Sequence, residues 1–496
     1  MKKMKVVFLA VASLFALFIM YPYQYGPHVT EEVCMEEALR HVEALVAYAP
    51  RLAGSGTIDD DVIGGCLSAS SYIADTLKRY GYIVEIQEFP ITTFQITEYE
   101  LLVDYDGDLS TPDQINLTDR AIPPVTSVAS YDAVVPLHMV EAFAYESTPD
   151  EGIVLMYRNN EPAFSPNREK LFSISYEDYL ILDQRKTEKS VLYVKFSSNR
   201  RDVKGYNIIG IRPGNTRTVL LCAHYDSVFT DGAIDNGSGV AALLECARIL
   251  SSKQTTATLY FAFFDAEEIG LLGSAAFVEA YPLPQCVCIN VDSIASGNVV
   301  RVGEIPRYAD MWNPEFRTDY YVDRYVSSLA SKVLGYSSQR LHLEDVGGIS
   351  DFVSFSRVGI ATTDVAAIDE EATKYPAISE EPSLESGIVW KKGDRTLYFH
   401  EDRFGKVIPY IHTGYDDIEH FDQEIFRKAT QVVVEAAYQL GCYSDEDIWF
   451  FIFRFLGMAA ALGCTLWYVK AVTDRGLEEE QGMRNEEENL INEQRT

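Results

Sequence analysis

The chain has 496 residues, enough for two or three domains or one large domain with an insertion, and 47% of it is hydrophobic, so it can bury a core and is not a disordered polymer. Its 74 acidic side chains against 42 basic ones leave a formal net charge of −32 with no basic cluster, and a surface of that sign repels phosphate backbones, which excludes nucleic acid as a partner. The 8 cysteines are too sparse for a disulfide scaffold and do not fall at zinc-ribbon spacings.

At the amino terminus Lys2, Lys3 and Lys5 precede an apolar run from Val6 to Met20, and residues 1–25 read as a signal-anchor or a signal peptide. Ile19, Met20, Tyr21 and Pro22 offer no small-residue cleavage site, which favours retention. Between Glu31 and Leu77 the apolar spacing predicts two amphipathic helices, parted by the turn from Pro50 to Gly56. Tyr82, Val84, Ile86 and Phe89 then alternate with polar residues and predict a strand. Residues 97–202 read as a β-rich insertion, with short alternating apolar segments, long polar loops and no helix-period run. Within it, Asn116, Leu117 and Thr118 form a glycosylation sequon, compatible with exposure outside the cytoplasm.

After Lys204 the pattern becomes α/β. Strands at Tyr206–Ile211, Val219–Ala223, Thr258–Phe264 and Val287–Asp292 alternate with helices at Ser238–Leu250 and Gly273–Ala280. Near-continuous apolar strands between amphipathic helices predict a mostly parallel sheet covered on both faces, with any site at the carboxyl ends of its strands. Residues 370–410, with Tyr375, Trp390, Tyr398, Phe399 and His400, read as an additional loop region. A second apolar stretch, 448–472, has aromatic residues at both ends and the length of a transmembrane helix; a buried carboxy-terminal helix is the other reading. Lysines before the first run, and Lys470 and Arg475 after the second, place both termini in the cytoplasm and the middle of the chain outside, anchored in membrane lipid, with 473–496 as an acidic tail. If the first segment is cleaved and the second does not span, the protein is secreted.

Five segments put acids and histidines at the predicted strand ends or beside them: His224 with Asp226, Asp231 to Gly239 around Asp235, Asp265 with Glu267 and Glu268, Asp292 with Ser293, and His412 with Asp416. Each alone is unremarkable. Together, unpaired carboxylates at neighbouring strand ends would repel one another, and a divalent metal removes that conflict.

These segments resemble the co-catalytic, di-zinc aminopeptidase family, leucyl-aminopeptidase-like exopeptidases with a doubly wound α/β fold. The resemblance extends to Arg51–Gly56, Tyr72–Leu77, Gly81–Glu85, Tyr206–Gly210 and Leu271–Ser274, so residues 30–96 and 203–447 are expected to form the zinc peptidase domain. It implies that two Zn²⁺ ions share Asp235, with His224 and Asp292 completing one site and Glu268 and His412 the other. It further implies that Asp226 orients His224, and that Glu267 is the general base toward a water held between the ions, so that the amino-terminal bond of peptide substrates is hydrolysed. Two His and three carboxylates are suitable zinc donors. Phe352 stands where that family often has His after Ser-Asp. The insertion lies where relatives sometimes carry a protease-associated domain. A glutaminyl-cyclase-like zinc acyltransferase, or an inactive peptidase-like receptor, are the alternatives. Oligomeric state and side-chain specificity have no sequence signal.

Overall fold

The computed structural model describes residues 28–442, apart from 56–64, 119, 125–128, 142–151, 158–169, 282, 284, 304–320, 339–349, 371–374, 380–386, 393–394, 406–407 and 413, together with 481–485. The predicted membrane segments at 1–25 and 448–472 lie outside these residues, as does most of the acidic tail. Among the described residues no helix is long and apolar enough to cross a membrane.

Two helices, α1 (Met35–Val46) and α2 (Gly65–Arg79), precede a long strand, β1 (Ile83–Asp104). Shorter elements follow: β2 (Gln114–Asn116), β3 (Ser130–Pro136), β4 (Met139–Glu141), β5 (Val154–Tyr157), β6 (Leu171–Ser173) and α3 (Tyr176–Arg185). The chain returns along β7 (Val191–Arg212) and then alternates through β8 (Thr218–His224), α4 (Ser238–Ser251), β9 (Thr258–Phe264), α5 (Leu272–Ala280) and β10 (Cys286–Val291). After β11 (Val299–Val302), α6 (Tyr321–Leu334), α7 (Phe352–Arg357) and β12 (Ala361–Ile368) come β13 (Tyr375–Ser379), β14 (Gly387–Lys392), β15 (Arg395–Gly405) and finally α8 (Gln423–Cys442).

The main sheet has the order β11-β12-β10-β8-β9-β7-β1-β2. Its centre, β12, β10, β8 and β9, is parallel, and β7, β1 and β11 are antiparallel to their neighbours. Alternation along β8 explains why this centre needs cover on both faces. Val219, Leu221 and Ala223 pack with Leu45, Leu77, Leu243, Val326 and Phe426 of α1, α2, α4, α6 and α8. Leu220 and Cys222 pack on the opposite side with Phe277 of α5 and Phe355 of α7. A central strand apolar on both faces is stable only in such a sandwich.

β1 and β7 pair without interruption from Ile83 opposite Ile211 to Asp104 opposite Val191, with one bulge between Ile96 and Glu98. The strands therefore run through 96/97 and 202/203, where the insertion was expected to begin and end. Beyond the bulge they wall a second core built from Leu101, Val103, Phe172, Leu192, Val194 and Phe196.

Two expectations are corrected. The insertion is not free of helix: α3 spans 10 residues and is capped by the Ser175 hydroxyl, which accepts from Asp178 N at 3.0 Å. It buries only Asp178 and Leu182, so its apolar stripe is too narrow to show as a helical period. Residues 375–405 are not loop alone, because β13, β15 and β14 form an antiparallel three-stranded sheet. The cysteines among the described residues are free thiols.

Candidate metal centre

Because β10, β8 and β9 are parallel neighbours, their carboxyl ends emerge along one edge. The chain leaves β8 for β9 on one side and returns to β10 on the other, and a crevice opens where the order of strands reverses. His224 is the last residue of β8, Asp292 follows β10, and Glu267 and Glu268 lie just past β9. Asp235 comes from the turn before α4, and His412 from the loop before α8. Left-handed backbone at Ala266 (φ 62°), Ser293 (φ 53°) and His412 (φ 55°) clusters here, as is common where function dictates an uncomfortable conformation.

The side chains converge on Asp235. His224 Nε2 lies 3.2 Å from Asp235 Oδ1 and 3.5 Å from Asp292 Oδ1. On the other side, His412 Nε2 lies 3.1 Å from Asp235 Oδ2 and 2.9 Å from Glu268 Oε2. Each oxygen of Asp235 thus faces a different imidazole. Ligand atoms of His224, Asp235 and Asp292 fall within 4.8 Å of one another, as do those of Asp235, Glu268 and His412, and those of His224, Glu267 and Glu268.

The electrostatics follow from burial and crowding. Burial opposes a charged ring at both histidines, yet Glu267 and Asp292 around His224, and Glu268 around His412, raise them well above the ordinary imidazole value. Burial alone would raise Asp235, but hydrogen bonds from the two histidines hold its carboxyl below the ordinary range. Burial, with Glu268, Asp351 and Asp292 nearby, pushes Glu267 well up.

The expected role of Asp226 needs a refinement. His224 Nδ1 lies 3.2 Å from the main-chain oxygen of Asp226 and 3.4 Å from its Oδ1. The carboxylate itself accepts from Glu267 N at 3.1 Å and Glu268 N at 3.2 Å. Asp226 therefore sets the backbone that carries the two glutamates as well as facing the imidazole.

Several supports were not assigned from sequence. Asn236 donates to Val291 O at 2.8 Å and accepts from Gly239 N and Ser293 N, tying the start of α4 to the end of β10. A Cβ on Gly239 would stand 2.3 Å from Asn236 Oδ1 and 2.5 Å from Val291 O, so the tie requires glycine there. Asp265 accepts from Gly54 N and Tyr206 N, and burial and Asp226 raise its carboxyl to about 7. Asp351 is buried with neither carboxylate oxygen hydrogen-bonded among the described residues, and burial foremost raises it to about 7. Asn236 and Asp265 sit inside segments rich in Gly and acids, but nothing in their spacing separates ligand from support. Phe352 is buried in the core.

The residues fit a metal. Glu268 Oε1 is buried with no hydrogen-bond partner among the described residues, and three carboxylates meet two imidazoles in a pocket that burial makes costly for bare charge. Mixed nitrogen and oxygen donors of this kind suit zinc.

Comparison with known proteins agrees. Aminopeptidase YwaD of Bacillus subtilis (strain 168) is 30% identical over 312 residues, which cover 58% of this chain and 56% of that protein. Leucine aminopeptidase 1 of Fusarium vanettenii is 25% identical over 263 residues, 49% of this chain and 57% of that one. The chain spans about half the length of the curated relatives it matches. The fold resembles that of BSAP, a zinc aminopeptidase from Bacillus subtilis, with a TM-score of 0.56 at 23% identity, covering 84% of this chain and 96% of that one. Residues 207–437, which carry every strand end and loop of the centre, match the model of Peptidase family M28.

Proposed function

We propose that the protein is a zinc-dependent aminopeptidase that removes residues from the amino end of peptides. The observation that carries the reading is the pair of ligand clusters sharing Asp235, with Glu267 beside them. In this reading His224, Asp235 and Asp292 hold one Zn²⁺, and Asp235, Glu268 and His412 hold a second. Two complete clusters support a hydrolase over a single-zinc acyltransferase or an inactive receptor. Relatives named as aminopeptidases support the exopeptidase class.

Zinc, when bound, supplies Lewis acidity toward the scissile carbonyl and offsets the negative charge that develops on it. The chain supplies the proton traffic. Glu267 is 9% exposed and lies beside both ligand clusters, so its carboxylate is placed to take a proton from the attacking water. The same carboxyl then gives that proton to the leaving amine as the C–N bond breaks. Asp226 keeps Glu267 in place through its main-chain N–H.

Full-length protein is expected to bind about two zinc ions per chain and to release amino acids from free-amino peptides. Glu267→Gln should retain zinc and lose about 10²–10⁴-fold in kcat. Unchanged activity in that variant would remove Glu267 from the mechanism, and cleavage confined to amino-blocked peptides would remove the aminopeptidase class. The hydrophobic runs at 1–25 and 448–472 support anchoring with the catalytic part outside the cytoplasm. Protease added to intact cells should then leave a tag at Thr496 uncut.

A further inference from the structure

Arg51 is completely buried, yet among the described residues none of its side-chain hydrogen bonds goes to a carboxylate. Its donors go to main-chain oxygens instead: Nε to Tyr225 at 2.7 Å, Nη1 to Leu45 at 3.1 Å and Asp231 at 2.9 Å, and Nη2 to Gly232 at 2.8 Å. A buried guanidinium spent on carbonyls is an expensive way to fill a core. What it grips is informative, because Asp231 and Gly232 open the turn that presents Asp235.

The far side of the same turn is gripped with opposite polarity. Asp416 Oδ1 accepts from Ile234 N at 2.7 Å and from Asp235 N at 3.3 Å, its Oδ2 lies 3.4 Å from Thr230 Oγ1, and its main-chain oxygen accepts from Ala233 N at 3.3 Å. Asp416 is 1% exposed and belongs to the loop that carries His412. The turn is too tight to slide between the two. A Cβ on Gly232, where φ is +62°, would stand 2.6 Å from Arg51 Nη2 and 2.6 Å from Ser227 Cβ.

We infer that Arg51 and Asp416 form a two-sided clamp on the turn from Thr230 to Asp235, a cation holding its carbonyls and a carboxylate its N–H groups, and that this clamp fixes the Asp235 carboxylate between His224 and His412. Both are positioning residues. Asp416 also ties the loop of His412 to the turn of Asp235, so the two ligands keep register although they lie far apart in sequence. The inference rests on the zinc reading of the site.

The test uses full-length protein loaded with zinc, with folding followed by circular dichroism and retained zinc measured against rising chelator. Asp416→Ala is expected to stay folded, to surrender zinc at about 10–100-fold lower chelator, and to lose kcat more than KM, as partners behind metal ligands do. Asp416→Asn, which keeps an acceptor oxygen for Ile234 N, should recover most of the loss. Gly232→Ala removes no ligand and should weaken zinc similarly; if it does not fold, the Asp416 pair decides. Zinc retention in folded Asp416→Ala equal to that of the parent overturns the clamp, and so does an Asn variant no better than Ala. A parent protein that takes up no zinc overturns the proposed function itself, and the clamp with it.

Discussion

The two halves of the centre are built differently. His224 is 1% exposed at the end of a central strand, walled by neighbours on both sides, whereas the His412 side chain is 40% exposed on a loop with left-handed backbone. The first half is a property of the sheet; the second depends on where a surface loop is held. Removing one histidine from each half should therefore have equal effects on catalysis and unequal effects on folding. His224→Ala leaves Asp226, Asp235 and Asp292 crowded around an empty volume, and losing one partner of a buried charged set costs about 3–5 kcal/mol. Activity should vanish and the zinc-free protein should unfold at markedly lower urea. His412→Ala should also abolish activity, yet shift the zinc-free urea midpoint much less, because water reaches the site it leaves. Equal destabilisation by the two variants would mean that the loop is as much a part of the folded core as the strand.

The same contrast explains what could be read from sequence. The parallel centre was legible because its strands are apolar on both faces and stop at polar residues: Val219–Ala223 and Thr258–Phe264 need no tertiary information to be seen as buried. His224, Asp235, Glu267, Glu268, Asp292 and His412 were nominated as a group by resemblance, and the fold brings them together. Apart from Asp226, their supports were not legible. Arg51 is 180 positions from the Asp231 carbonyl it grips, and the resemblance of Arg51–Gly56 to the family's flanking sequence gave it no role. Asp416 sits four residues after His412 in a segment of polar residues where ligand, support and solvated acid look alike. The helix α3 was missed for a related reason: a short helix facing mostly solvent leaves no period, and only its Ser175 cap marks it.

A third histidine sharpens the contrast from outside the site. His41 on α1 is 4% exposed, with Nδ1 2.6 Å from the Tyr72 hydroxyl and Nε2 3.3 Å from the Tyr80 hydroxyl. Burial first, and then the cations of Arg40, Arg79 and Arg248, lower it from 6.5 to about 4, the reverse of the carboxylate-ringed histidines of the centre. The sign is fixed by linkage. With the folded value below the unfolded one, the unfolded chain binds the extra proton between pH 6.5 and 4, so stability is full above that window and falls as pH drops through it. A shift of this size corresponds to a loss of about 3 kcal/mol once the pH lies below the window, and to none at neutral pH. The urea midpoint of the zinc-free protein should therefore drop between pH 7.5 and about 4.5, and His41→Gln, neutral at both, should drop less. Because α1 packs against α4 through the core, the loss would appear as global unfolding rather than local opening of the site. An identical drop in His41→Gln would assign the acid sensitivity to the carboxylates and histidines around Asp235 instead.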